Sequence, residues 1–162
     1  MTPPAPSAPD LGHLRRAIAL SQAARDHGNH PFGALLVDAE GRVALEADNT
    51  VVTEGDITGH AETNLVRLAS RDLTPDQLAA YTLYSSCEPC AMCSGALYWA
   101  GIGRLVYALS EAALARLTGP HPDNPTLDLA SRVVLAAGSR RVEVNGPLLE
   151  DEAALPHEGF WT

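Results

Sequence analysis

Apolar residues recur at helical spacing from the start of the chain. Leu11, Leu14, Ala17, Ile18 and Ser21 share one face, so a helix is predicted from a capping Asp10 to about Asp26, with His27-Gly28-Asn29 ending it. Phe32 to Val37 is apolar and strand-like, Asp38 to Gly41 reads as a turn, and Val43 to Ala47 returns as the second strand of a hairpin. Asn49 to Gly59 is a polar loop. Helical spacing resumes over His60 to Arg71, and Thr74 caps a short helical piece with Pro75 at its first position. Ala80 to Ser86 reads as a third strand, Pro89 to about Ala100 as a helix stopped by Gly101 to Gly103, and Arg104 to Leu109 as a fourth strand. Ser110 to Leu117 is helical, Gly119 to Asn124 is a Pro-rich loop, Leu127 to Ala137 is helical, and Val142 to Val144 is a short last strand. A hairpin followed by alternating helices and strands predicts an α/β fold, a mixed five-stranded sheet with helices on both faces.

Size and composition fit one domain. The chain has 162 residues, 46% hydrophobic and 19% charged, the balance of a globular protein. Residues 1–9 read as a flexible Pro-rich leader, 10–145 as the domain, and 146–162 as an acidic tail. The tail's aromatics, Phe160 and Trp161, are expected to be buried in this subunit or a neighbour, or to cover a pocket. All 11 basic residues are Arg, set against 20 acidic ones, for a net charge of −9. Nucleic-acid affinity comes largely from neutralised phosphates, and this acid excess offers no obvious footprint for it. Met1 to Asp10 holds four Pro and no basic residue, unlike a signal peptide, and no apolar run approaches the ~18 residues of a membrane span, so a cytoplasmic protein is expected.

All three Cys fall within Cys87 to Cys93, which points to metal or redox chemistry rather than a disulfide framework. Two segments stand out, His60-Ala61-Glu62 and Cys87-Glu88-Pro89-Cys90-Ala91-Met92-Cys93. Pro89 fixes φ at a helix start, so Cys90 and Cys93 occupy its first turns, three apart and on one face. The positive end of the helix dipole there favours thiolates. Two Cys and one His around zinc leave a fourth position for water, the open arrangement of a catalytic site. Glu62, two residues from the His and not itself a ligand, is placed to move protons.

His-x-Glu followed by Pro-Cys-x-x-Cys resembles the signature of zinc-dependent nucleobase deaminases. Pro31-Phe32-Gly33-Ala34, Asn49 and Thr82 to Cys90 are likewise similar to the cytidine deaminase-like superfamily. Within it, Cys87 to Ala100 most resembles the bacterial guanine deaminase branch, and the tRNA adenosine deaminases are less similar through Tyr98-Trp99. The resemblance covers about Leu11 to Leu109 and implies a three-layer αβα sandwich, usually a homodimer. It implies one zinc per subunit on His60, Cys90 and Cys93, with Glu62 as proton shuttle. It also implies Asn49 hydrogen-bonded to the base, Phe32 packed against it, and the Cys90 N–H positioning an oxygen. Ala61, Trp99 and Trp161 complete the candidate substrate-contact set.

Blander readings stand beside these. A Cys-x-x-Cys-x-x-Cys run suggests an iron–sulfur cluster, but the fourth Cys is missing, so Cys87 reads as a small buried hydrophobe. Core packing is favoured over substrate stacking for Trp99. Asp123 and Asp128 could hold a base amine but read as an ordinary loop acid and helix residue. Arg140-Arg141 reads as a solvated strand edge. The expected activity is hydrolytic deamination of a small free amino-heterocycle, guanine to xanthine first. Other amino-purines, amino-triazines, cytosine, a nucleoside and tRNA adenosine are alternatives. A zinc-stabilised binding module without catalysis is the alternative of another class, and Glu62 speaks against it.

Overall fold

A computed structural model describes residues 5–162; the first four residues of the predicted leader lie outside it. Helix α1 runs over Ala8–Asp26, earlier than predicted. Ser7, not Asp10, is its cap: the Ser7 hydroxyl accepts from the Asp10 N–H at 3.3 Å while the Asp10 carboxylate accepts from the Ser7 N–H at 2.8 Å. Asp10 is thereby one turn inside and buried. Its other oxygen accepts from the Tyr84 hydroxyl at 2.6 Å and from Arg104 at 2.8 Å.

The hairpin is formed by β1 (Gly33–Val37) and β2 (Val43–Asp48). A polar stretch follows, carrying the short α2 (Val51–Glu54), then α3 (Ala61–Asp72) and α4 (Pro75–Leu78). Thr74 caps α4 as predicted. Next come β3 (Thr82–Cys87), α5 (Ala91–Ala100), β4 (Arg104–Leu109) and α6 (Glu111–Thr118). The remainder is α7 (Ser131–Ala136), β5 (Glu143–Asn145) and α8 (Glu150–Ala154), followed by a 3₁₀ turn over Leu155–His157. The predicted helix over Leu127–Ala137 is thus shortened, because residues 127–130 are not helical.

Among the described residues the strands form one five-stranded sheet in the order β2-β1-β3-β4-β5. β1 is antiparallel to both β2 and β3, and β3, β4 and β5 are parallel. Alternation along the buried strands separates two cores. Ala34, Leu36, Leu83, Leu105 and Tyr107 face Ala61 and Leu65 of α3, Leu97 of α5 and Leu135 of α7. Leu35, Val37, Tyr84, Val106 and Ala108 face Leu14 and Ala17 of α1, Leu114 of α6 and Ala153 of α8. The result is the expected αβα sandwich. Each fully buried Leu contributes roughly 1.5–3 kcal/mol. Gly33 is required by packing: a Cβ there would lie 2.6 Å from the Ala17 carbonyl oxygen, so α1 could not sit this close to β1.

The C-terminal segment is folded against this body. Arg25 of α1 donates to the Pro156 and Glu158 carbonyls at 2.7 Å each, and Arg15 pairs with Glu152 at 2.9 Å. No helix among the described residues is long and apolar enough to cross a membrane.

Candidate active site

β2, β3 and β4 run in the same direction, so Asn49, Cys87-Glu88 and Ser110-Glu111, which follow them, gather at one edge of the sheet. Clefts in α/β sheets form outside such carboxyl ends. Phe32, just before the antiparallel β1, joins them. Two helices begin at the same edge. His60 is the cap residue of α3 and Cys90 the cap residue of α5, whose first helical residue, Ala91, comes two positions after the start predicted at Pro89. The Cys pair therefore spans the cap and third positions. Thiolates at a helix N-terminus are favoured by the unpaired N–H groups and the dipole.

The Nδ1 atom of His60 lies 3.7 Å from the Cys90 Sγ and 3.5 Å from the Cys93 Sγ. Bonds of ~2.0–2.1 Å to nitrogen and ~2.3 Å to sulfur, at a tetrahedral angle, require N···S edges of about 3.6 Å. The three donor atoms thus fit a tetrahedral zinc, with all of them within 4.8 Å of one another. Without the metal, the hydrogen bond from Cys93, helped by His60, pulls the Cys90 thiol well down. Cys93, which shares that proton and is buried, is pushed up. Cys87 stands apart at the end of β3, fully buried and with its thiol pushed up by desolvation, as a small hydrophobe would be.

Glu62, in the first turn of α3, is 5% exposed. Burial raises its pKa against the opposing pull of the Ser85 hydroxyl, which donates to Oε1 at 2.7 Å. A carboxyl raised in this way is suited to both accepting and returning a proton.

A cavity of about 640 Å³ opens over these groups, with His60, Glu62 and Cys90 in its lining. Asn49 and Phe32 line it too. The Asn49 Oδ1 accepts from the Val51 N–H at 3.0 Å, so the side-chain NH₂ is the end left for a ligand. Three members of the predicted contact set are placed differently. Ala61 packs into the core beneath α3 and is not part of the lining. Trp99 is 82% exposed on α5, so it neither packs on the sheet nor reaches the cavity. Trp161 is buried one layer behind the wall, its ring centroid 5.5 Å from that of His30 and 6.3 Å from that of Phe32, both of which line the cavity. Its Nε1–H donates to the Nδ1 of His157 at 3.1 Å, and burial holds that imidazole neutral by lowering its pKa to about 4.

Part of the lining was not found by sequence reasoning. Glu88 accepts from the Glu111 N–H at 3.0 Å and from the Ser131 N–H and hydroxyl at 2.9 and 2.8 Å. One carboxylate so holds the starts of α6 and α7, through partners 23 and 43 residues away that no local pattern announces. Glu111 and Asp123 line the cavity as well, whereas the exposed Asp128 does not. Burial and the negative neighbours Cys90, Glu88 and Glu62 push the Glu111 carboxyl up to about 7. Arg140 is not a free strand-edge charge: it donates to the Tyr98 and Ile102 carbonyls at 2.7 and 2.8 Å.

Residues 8–109 match the family model described as the cytidine and deoxycytidylate deaminase zinc-binding region. A Schizosaccharomyces pombe protein described as a probable cytosine deaminase is 49% identical over 94% of this chain and 92% of its own. Guanine deaminase of Bacillus subtilis is 43% identical over 63% of this chain and 65% of its own. The crystal structure of NE0047 in complex with 2,6-diaminopurine superimposes with a TM-score of 0.79 at 27% identity, covering 98% of this chain and 84% of that one.

Proposed function

The chain belongs to the cytidine and deoxycytidylate deaminase family of zinc-dependent hydrolytic deaminases, and from that premise we propose that it deaminates a free amino-substituted nucleobase, guanine first. The observation that carries the free-base reading is the charge of the cavity. Glu62, Glu88, Glu111 and Asp123 line it, and no Arg does, in a chain without Lys. A nucleotide or tRNA substrate brings phosphates, which need cationic partners. A free base brings N–H donors, which carboxylates accept. The volume of about 640 Å³ lies within the range of small-molecule sites and admits a bicyclic base. The 2,6-diaminopurine complex of NE0047 also favours a purine.

In this reading His60, Cys90 and Cys93 hold the metal. Zinc, when bound there, supplies the Lewis acidity that makes water a nucleophile near neutral pH. Glu62 accepts a proton from the water as its oxygen adds to the amine-bearing carbon. It passes that proton to the adjacent ring nitrogen, then serves the departing amine, so that guanine and water become xanthine and ammonia. Ser85 fixes the carboxylate of Glu62. The Asn49 NH₂ donates to an acceptor on the base, and Phe32 gives it an apolar face.

Cytosine is the second reading, favoured by the Schizosaccharomyces pombe relative. A homodimer in the cytoplasm goes with either, and light scattering tests the assembly. The deciding experiment is ammonia release by purified zinc-loaded protein from guanine, cytosine, other purines, triazines, nucleosides and nucleotides, beside an editing assay on tRNA. Guanine or another free base as best substrate supports the proposal. Turnover of tRNA or nucleotides with none on any base sinks it.

A further inference from the structure

Glu111 does something that helix capping does not explain. An acid at the first position of a helix is stabilising beside the dipole, and such acids ordinarily sit in solvent. Glu111 is 9% exposed, faces the cavity, and its carboxylate has no hydrogen bond or ion pair among the described residues. Every other buried acid of this site is matched: Glu62 by Ser85, and Glu88 by Ser131 and the Glu111 N–H. Its carboxylate oxygens are left open to the cavity rather than spent on the protein, which makes them an acceptor that a bound ligand can use.

The backbone beneath Glu111 is pinned from both sides. Its own N–H donates to Glu88 at 3.0 Å, and the preceding Ser110 donates through its N–H and hydroxyl to Glu150 at 3.0 and 2.7 Å. The side chain is therefore projected from a fixed point on α6, an element different from those carrying His60, Glu62 and Cys90. Within the same cavity as His60, Glu62 and Cys90, but carried by a different element, its carboxyl is free to meet a ring position other than the amine-bearing carbon.

We propose that Glu111 is a specificity-determining residue whose carboxyl accepts a hydrogen bond from a ring N–H of the substrate, selecting bases that present that donor. The proposal rests on the free-base reading above. Hydrogen bonds to charged groups contribute ~1.5–3 kcal/mol, so Glu111→Ala lowers kcat/KM on guanine by about 10- to 100-fold, chiefly through KM. Glu111→Gln keeps an acceptor oxygen and loses less.

The test crosses wild type, Glu111→Ala and Glu111→Gln with guanine and its 1-, 7- and 9-methyl derivatives, with cytosine and 1-methylcytosine in parallel. Zinc content and melting temperature show that each variant is folded, and the near-isosteric Gln variant serves if the Ala variant is not. The expected signature is non-additive. One N-methyl derivative is a poorer substrate for wild type, and Glu111→Ala causes no further loss on it. Equal losses on the parent base and every methylated one, or a change under about threefold on the parent base, overturn the proposal while leaving the free-base reading intact. A wild-type protein that releases ammonia from no base overturns both.

Discussion

Trp161 offers a measurement of how far the C-terminal segment holds the cavity wall. Its ring centroid lies 4.8 Å from Phe160 and 5.5 Å from His30 and His121, and its N–H is bonded to His157. A Trp side chain brings ~150–250 Å² of contact, which at ~25 cal/mol per Å² sets an upper bound of ~4–6 kcal/mol. A segment at a chain end can close over part of the gap, so Trp161→Ala is expected to cost about 3 kcal/mol, the low end for such truncations. For a domain of this size each kcal/mol shifts the melting temperature by ~2–4 °C, giving a drop of ~6–12 °C. Trp161→Phe keeps one ring but removes the bond to His157 and part of the packing, so it costs about 1–2 kcal/mol, or ~2–8 °C, less than the Ala variant. In the enzyme assay Trp161→Ala raises KM and leaves kcat close to wild type, because it loosens His30 and Phe32 and touches neither Glu62 nor the metal ligands. Differential scanning calorimetry and ammonia-release kinetics on zinc-loaded protein read both effects. A Trp161→Ala protein with unchanged melting temperature and KM, or a Phe variant as damaged as the Ala variant, would refute the reasoning.

Other outcomes follow from the same geometry. Glu62→Gln retains zinc but lowers kcat by about 10²–10⁴, the usual worth of a general acid–base; undiminished turnover would remove Glu62 from proton transfer. Cys90→Ala, or chelation of the wild type, abolishes metal binding and ammonia release together. Re-addition of zinc restores only the chelated wild type, and full zinc content in the variant would break the ligand assignment. For Asp10, burial opposes the charge, but hydrogen bonds from Arg104, Tyr84 and Ser7 outweigh it and hold the carboxyl well below the usual carboxylate range. Its folded-state pKa being depressed, its contribution is complete above about pH 5, begins to fall near the unfolded value of ~3.9 and is gone only below the folded-state value. Arg104 is partly exposed and keeps Glu143, so Asp10→Asn is expected to cost about 2–3 kcal/mol at pH 7, less than a fully buried pair. Urea denaturation over a pH series should show a constant gap between the two proteins down to about pH 5 and a progressively narrowing one below about pH 4; a gap that does not narrow in acid would count against the charge as its source.

What the sequence made legible was local chemistry. His60, Glu62, Cys90 and Cys93 stand in two short segments at two helix starts, and spacing of a few residues suffices to place them. β4 was bounded correctly because Gly101-Ile102-Gly103 and Ser110 punctuate it. Gly101, with φ of 91°, ends α5 in the left-handed conformation that a residue with a Cβ rarely adopts. Long-range pairing was not legible. Leu127 to Ala130 carries apolar spacing that reads as helix, yet α7 starts at Ser131, where Glu88 accepts from its N–H and hydroxyl. Ser7 displaced Asp10 as the cap because Asp10 has partners on β3 and β4. Trp99 lies in an apolar helix and was read as core, yet it faces outward; periodicity in so uniformly apolar a segment does not say which face meets the sheet.

The three hydrogen bonds that Glu88 accepts divide the molecule's evolutionary freedom. The candidate metal-site residues and Glu62 gather at the starts of α3 and α5, while α6 and α7 are attached at their starts to a single side chain adjoining the Pro-Cys motif. None of residues 119–130 is buried, so this loop can change in length and composition without moving the reacting groups, provided that α6 and α7 still offer Glu88 their N–H groups. That stretch of the cavity lining becomes a replaceable cassette on a constant scaffold. Grafting this span between homologues that share the Glu-Pro-Cys motif is the direct way to exchange one base preference for another.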